Sequence, residues 1–273
     1  MGRVRLTGWL AALLLSGLIA GCTSFPAGPE LPAGDGDGLL LIIHGSGGSA
    51  DGWPRRLEDA ITETYGSRPS WDIHRLEWAT LAEDRLAAPG NGRALGARLA
   101  EQLTEPLAGG SGYRIIHLIG HSVGAHVMYG LSSRYRELAT DADTTLHQTY
   151  LDPFTPRGVL LWRFGESRFG QNADFSESFV TTDDPAFMTN SYLEHAYNID
   201  LTSSFPSSGE PDDVSAHDWP VAYYIQAVSS GESWFANAPY LYPELLTSSE
   251  KRAAFYQRLR LEFPAGEVQR PVD

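Results

Sequence analysis

Apolar positions along the chain fall into two kinds of run. The first is short and continuous. Residues 39–43 (Leu-Leu-Leu-Ile-Ile) and 115–119 (Ile-Ile-His-Leu-Ile) have the length and β-branched content of strands covered on both faces. Residues 71–78, 145–151 and 192–201 read as further strands. The second kind has helical spacing. Leu95, Leu99, Leu103 and Leu107 recur along one face of 91–107, which predicts a helix lying on the sheet. Pro54 suits the first turn of a helix running to about Tyr65. A stretch with few breakers follows Ser122, and 219–228 predicts another helix. Residues 248–262 read as a C-terminal helix with Ser248 as N-cap and Phe255, Leu259 and Leu261 facing inward. Strands alternating with helices of this length imply the α/β class, with a mainly parallel sheet wrapped on both faces.

One segment escapes this pattern. Residues 154–190 show no clear strand but hold Phe154, Trp162, Phe164, Phe169, Phe175, Phe179 and Phe187. A stretch this long without regular structure is either a lid-like insertion or a structural excursion whose aromatics complete the core.

In parallel sheets the chemistry gathers beyond the carboxyl ends of the strands. Three features of this chain sit there. His44-Gly45-Ser46-Gly47-Gly48 follows the first strand, Gly120-His121-Ser122-Val123-Gly124 follows the central one, and Asp152-Pro153 closes the next. The middle feature is a G-x-S-x-G between strand and helix, where a sharp turn exposes the serine and leaves no room for side chains at the glycines. Ser122 is therefore the candidate nucleophile.

A serine needs a base, and the base needs an acid to orient it. Of eight histidines, His74, His117 and His147 lie within predicted strands and His126 on a helix, while His44 and His121 are placed to brace backbone. His195 and His217 remain. His217 is favoured because it follows the polar loop 203–215 and opens a helix. For the acid, Asp152 is favoured over Asp200, with Asp174, Asp183 and Asp184 behind them. The oxyanion of a tetrahedral intermediate would be met by the amide of Val123 and one from the first glycine loop, Ser46 ahead of Gly47.

Composition narrows the setting. The 273 residues carry a formal charge of −14, which argues against nucleic acid as a partner. There is one cysteine, Cys22, so neither an intrachain disulfide nor a cysteine metal site can form. No H-E-x-x-H is present and the Asp and His residues show no ligand spacing, so no metal or cofactor is implied. Arg3 and Arg5, then an apolar run over 6–20, then Ile19-Ala20-Gly21-Cys22 make a secretory signal whose end resembles the lipobox of bacterial lipoproteins. That resemblance implies cleavage before Cys22 and acylation of it, and Thr23 after the cysteine points to an outer membrane, facing the periplasm. Residues 22–38, rich in Pro, Gly and Asp, read as a flexible tether.

Taken together, His44-Gly45 with Trp53, the Gly-His-Ser-Val-Gly turn and Tyr150-Leu151-Asp152-Pro153 resemble the α/β-hydrolase superfamily. The acid one strand after the nucleophile is similar to the pancreatic-lipase-like branch. That resemblance places the acid, base and loop amide on Asp152, His217 and Ser46. With the signal peptide at 1–21 and the tether at 22–38 read above, the hydrolase domain is expected over 39–273, with an insertion at 154–190. The function implied is that of a lipid-anchored serine hydrolase cleaving a small-molecule or lipid carboxylic ester. The alternative is a lipoprotein that uses the same fold, without turnover, as a binding or adaptor module. The single cysteine departs from that branch, which typically carries disulfides and an appended β-sandwich.

Overall fold

Both runs expected to be covered strands are buried at every position: β1 (Gly38–Ile43) and β3 (Ile115–His121). They pair in parallel, Leu40 beside His117 and Ile43 beside Gly120. The computed structural model describes residues 28–32, 34–104, 112–139, 143–158, 160–183, 188–206, 214–231 and 237–270. The signal sequence, Cys22, Leu107, Asp184 and Phe187 lie outside the described residues. Five more strands complete the sheet: β2 (Trp71–Leu76), β4 (Thr145–Leu151), β5 (Phe175–Val180), β6 (Tyr197–Asp200) and β7 (Val268–Gln269). Their order is β2-β1-β3-β4-β5-β6-β7, and every pairing is parallel.

Alternate residues of each strand feed opposite faces, so β1 divides its apolar side chains between two cores. Leu39, Leu41 and Ile43 pack with Leu95 and Leu99 of α3 (Ala88–Thr104) and with Val127 and Leu131 of α4 (Gly124–Leu138). Leu40 and Ile42 pack with Leu57 and Ile61 of α1 (Trp53–Tyr65) and with the helix α5 (Trp219–Ser230) through Val221, Tyr224 and Val228. The helices α3 and α4 are drawn together by glycine. A Cβ on Gly96 would lie 2.1 Å from the Val127 carbonyl oxygen, and one on Gly130 2.2 Å from that of Arg93. Two single turns complete the helices, α2 (Ala79–Ala82) and α6 (Glu244–Thr247), before α7 (Ser249–Glu262).

Several sequence expectations change. The segment 154–190 is not strandless, because β5 runs through it between β4 and β6. Its sequence, Phe-Ser-Glu-Ser-Phe-Val, hides the strand because Ser176, Glu177 and Ser178 are polar yet buried. Glu177 is accommodated by a 2.8 Å hydrogen bond from the Thr149 hydroxyl on β4. What remains irregular is the crossover 153–174 and the loop after β5. The strand expected over 192–201 contracts to β6, because Asn198 turns back to hydrogen bond both the N–H and the carbonyl of Leu193. The helix expected from 91 begins at Ala88, with Asp84 accepting from the N–H groups of Leu86 and Ala87 just before it. In α7, Ser248 is the N-cap, accepting from Lys251 N at 3.2 Å. Its inward face is Arg252, Tyr256 and Leu259, whereas Leu261 is 76% exposed. The described part of the stretch read as a tether is docked: Leu31 N donates to Gln102, Gly36 N to Asp72 and Asp37 N to the Ser70 carbonyl.

Candidate active site

Three strand ends meet at one place. Ser122 follows β3 with φ of 54°, a left-handed backbone forced by the tight passage from strand to helix. Its N–H donates to the Leu151 carbonyl and its own carbonyl accepts from Phe154 N, so it is stitched on both sides to the end of β4. The flanking glycines are required by space. A Cβ at Gly120 would meet Met128 Sδ at 2.4 Å, and one at Gly124 the carbonyl oxygens of Ile43 and His44 at 2.9 Å. From the first loop, Gly45 approaches so closely that a Cβ there would lie 2.8 Å from the Ser122 Cβ. Ser46 follows it directly, its hydroxyl donating to the Ala82 carbonyl, and Gly47 has φ of 76°. Val123 is the N-cap of α4, so its N–H stands at a helix N-terminus where the backbone dipoles favour negative charge.

Asp152 also has a left-handed backbone, φ 44°, just past the end of β4. It is fully buried, and its Oδ2 accepts from His217 Nδ1 at 2.6 Å. The other oxygen, Oδ1, accepts from Thr181 N at 3.1 Å. Burial pushes the Asp152 carboxyl up; the hydrogen bond and charge of His217, the Thr181 N–H and the Thr189 hydroxyl pull it back. Such charge-assisted bonds hold the imidazole in one tautomer, with Nδ1 protonated and Nε2 turned to accept a proton.

His217 lies on a loop, and two side chains hold that loop. His121 Nε2–H donates to the His217 carbonyl at 3.1 Å, with the two rings 4.5 Å apart. The Thr181 hydroxyl donates to the Ala216 carbonyl at 2.8 Å. Burial first, and then the charge of His217, lower the His121 pKa to about 3, so it serves as a neutral donor. His44 likewise braces backbone, donating from Nδ1 to the Gly45 carbonyl at 2.8 Å, while its own carbonyl accepts from Trp78 Nε1. The bracing histidines were readable from their positions; Thr181 and Thr189 were not, since nothing in a lone threonine announces a carboxylate partner.

The rivals fall elsewhere. His195 precedes β6 and lines a cleft with Asp174, Phe175 and Arg260 at the amino ends of the strands, the opposite edge from Ser122. Asp174 is occupied there by Arg136 at 2.5 Å and by Leu146 N. Asp200 does end β6, but Thr202, Tyr192 and Arg270 take its oxygens. Burial raises its carboxyl, and these partners outweigh burial to leave it below the usual carboxylate range. No group of His, Cys, Asp and Glu that could hold a metal ion occurs among the described residues.

Among solved structures the chain is similar to the RedJ thioesterase of the prodiginine biosynthetic pathway in Streptomyces coelicolor, at 15% identity over 82% of this chain and 97% of that one, TM-score 0.36. It is also similar to a Pyrobaculum calidifontis esterase (12% identity, 73% and 78% covered, TM-score 0.38) and to a Trichoderma reesei cutinase (14%, 81% and 80%, TM-score 0.34). Likenesses this remote say nothing about chemistry. No curated protein matches the sequence. The sequence does match the Alpha/beta hydrolase family over residues 40–266, from within β1 to just before β7, and with a parallel sheet of this order beneath the match the chain belongs to that family.

Proposed function

We propose that the chain is a serine hydrolase that cleaves a carboxylic ester through Ser122, His217 and Asp152. One observation carries the reading: the 2.6 Å hydrogen bond from His217 Nδ1 to a fully buried Asp152, formed beside the strained turn that presents Ser122. The ionised Asp152 fixes the tautomer, and His217 Nε2 takes the Ser122 proton as the oxygen attacks the ester carbonyl. Negative charge then gathers on the carbonyl oxygen, where the Val123 and Ser46 amides are the candidate donors. His217 returns the proton to the departing alkoxide, leaving an acyl-serine that water hydrolyses by the same steps. Ser122→Ala should retain the fold and abolish turnover of p-nitrophenyl acetate, and a fluorophosphonate should label the native chain only. Undiminished turnover by the Ala variant removes the proposal.

The N-terminal sequence supports an exported, lipid-anchored form of this hydrolase, with Cys22 as the acylated first residue. The ester is accordingly taken to be a small molecule or a lipid reached at a membrane surface. Intact mass of the mature chain decides the anchor: a Cys22 N-terminus carrying acyl chains supports it, and an unmodified Cys22 removes it.

A further inference from the structure

The crossover from β4 to β5 leaves a knuckle of apolar side chains in solvent. Leu160 is 95% exposed, Leu161 48% and Trp162 43%. Exposed apolar neighbours of this kind are uncommon on a soluble surface unless something covers them. The knuckle is not loose chain. Arg157 and Leu161 form an antiparallel bridge at its base, Phe164 N donates to the Leu161 carbonyl, and Gly165 N to that of Thr155 at 2.7 Å. Phe164 and Phe169 root it in the core beside His126 of α4.

Its charge runs against that of the molecule. In a chain of formal charge −14, residues 156–169 hold Arg157, Arg163 and Arg168 against Glu166 alone. Arg163 is paired with Glu166, but Arg157 and Arg93 are not paired with any carboxylate among the described residues. Both guanidiniums lie against the Phe164 ring, at 5.4 and 5.7 Å from its centre. Burial, with the neighbouring charge of Arg157, lowers the Arg93 pKa. Two like charges share one ring, with no carboxylate paired to either among the described residues, at the foot of an apolar tip.

From this juxtaposition we infer that the knuckle docks on an anionic lipid bilayer, with Leu160, Leu161 and Trp162 entering the acyl boundary and Arg93 and Arg157 meeting lipid phosphates. The same segment begins at Asp152, and Phe154 N holds the Ser122 carbonyl, so docking presents the strand-end face to the membrane. Leu86, 87% exposed, precedes α3 at that same end. The docking stands on exposure and charge and does not require Ser122 to be catalytic.

Site-specific crosslinking of the full chain tests it, because a probe reads local lipid contact however the N-terminus is held. p-Benzoylphenylalanine replaces Leu161, or Leu261 on α7 as an exposed control, and each protein is irradiated with vesicles of phosphatidylcholine with or without phosphatidylglycerol. The expected result is a phospholipid adduct at 161 roughly tenfold above that at 261 when phosphatidylglycerol is present. Arg93→Gln with Arg157→Gln should remove most of that excess, and Leu160→Asp should do so even with both arginines intact. Equal adducts at 161 and 261 overturn the inference, as does a chain-to-chain adduct at 161 that forms without vesicles, which would assign the knuckle to a second copy.

Discussion

Ser122 and Asp152 are the non-glycine residues of the described chain with left-handed backbones, and they stand at the ends of adjacent strands, joined by the hydrogen bond from Ser122 N to the Leu151 carbonyl. Each such residue costs on the order of 1–3 kcal/mol. Strain at two neighbouring strand ends, and outside glycine only there among the described residues, marks where the fold gives up stability to aim side chains.

Asp152→Asn keeps a residue that tolerates this backbone but removes the charge that fixes the His217 tautomer. Ester turnover should fall by a factor on the order of 10⁴, with the far-UV spectrum unchanged. Asp200→Asn, which breaks the Arg270 pair instead, should leave turnover essentially intact. The reverse ranking in kcat/KM would reassign the acid.

Thr181→Val preserves the backbone N–H that Asp152 uses and removes the hydroxyl that holds the Ala216 carbonyl. The lost bond is worth about 1 kcal/mol, so kcat should drop roughly fivefold while KM stays put. Thr181→Ser should restore it. A rise in KM without a change in kcat would place Thr181 in substrate binding rather than in orienting His217.

Acid should loosen the fold before the carboxylates titrate fully. His121 and His126 are held neutral, their pKa lowered from 6.5 to about 3 chiefly by burial, with the charges of His217 and Arg93 next. The unfolded chain takes up protons that the folded chain refuses, so stability present at neutral pH is lost as pH falls below about 6.5. Asp152, raised by burial, works in the opposite direction as pH rises, but burial lowers His74 and His117 as well, so the histidines outnumber it. Urea midpoints should therefore decline between about pH 7 and pH 4.5, and His126→Gln should flatten that decline. A midpoint independent of pH in the native chain would show that neither histidine is held neutral.

Two glycines of α3 should answer alanine with opposite signs. Gly96→Ala drives a methyl into the Val127 carbonyl of α4 and should cost about 1–3 kcal/mol. Gly90, in the same helix, has open space where its Cβ would stand, so Gly90→Ala should stabilise by about 0.5–1 kcal/mol. Urea denaturation of the two variants checks both; a tolerated Gly96→Ala would mean that the helices separate at little cost.

Much of this was written locally. Continuous apolar runs marked β1 and β3 because a strand covered on both faces has no polar side to show, and the Gly-x-Ser-x-Gly turn marked itself because only glycine fits beside a strand bent that sharply into a helix. The loop position of His217 set it ahead of His195, and Asp152 stood out as the end of a strand. Other features had no local sign. β5 was hidden because its buried residues include Ser176, Glu177 and Ser178, and the partner of Glu177 is Thr149 on β4 rather than anything adjacent in sequence. Nor could sequence place His195 at the far edge of the sheet, or spend Asp200 on Arg270, a residue 70 positions away. The threonines around Asp152 and the two arginines on Phe164 became visible only when the crossovers stacked them. Periodicity records what each residue buries, and that is local; which polar groups meet is decided by strand order, a property of the whole chain.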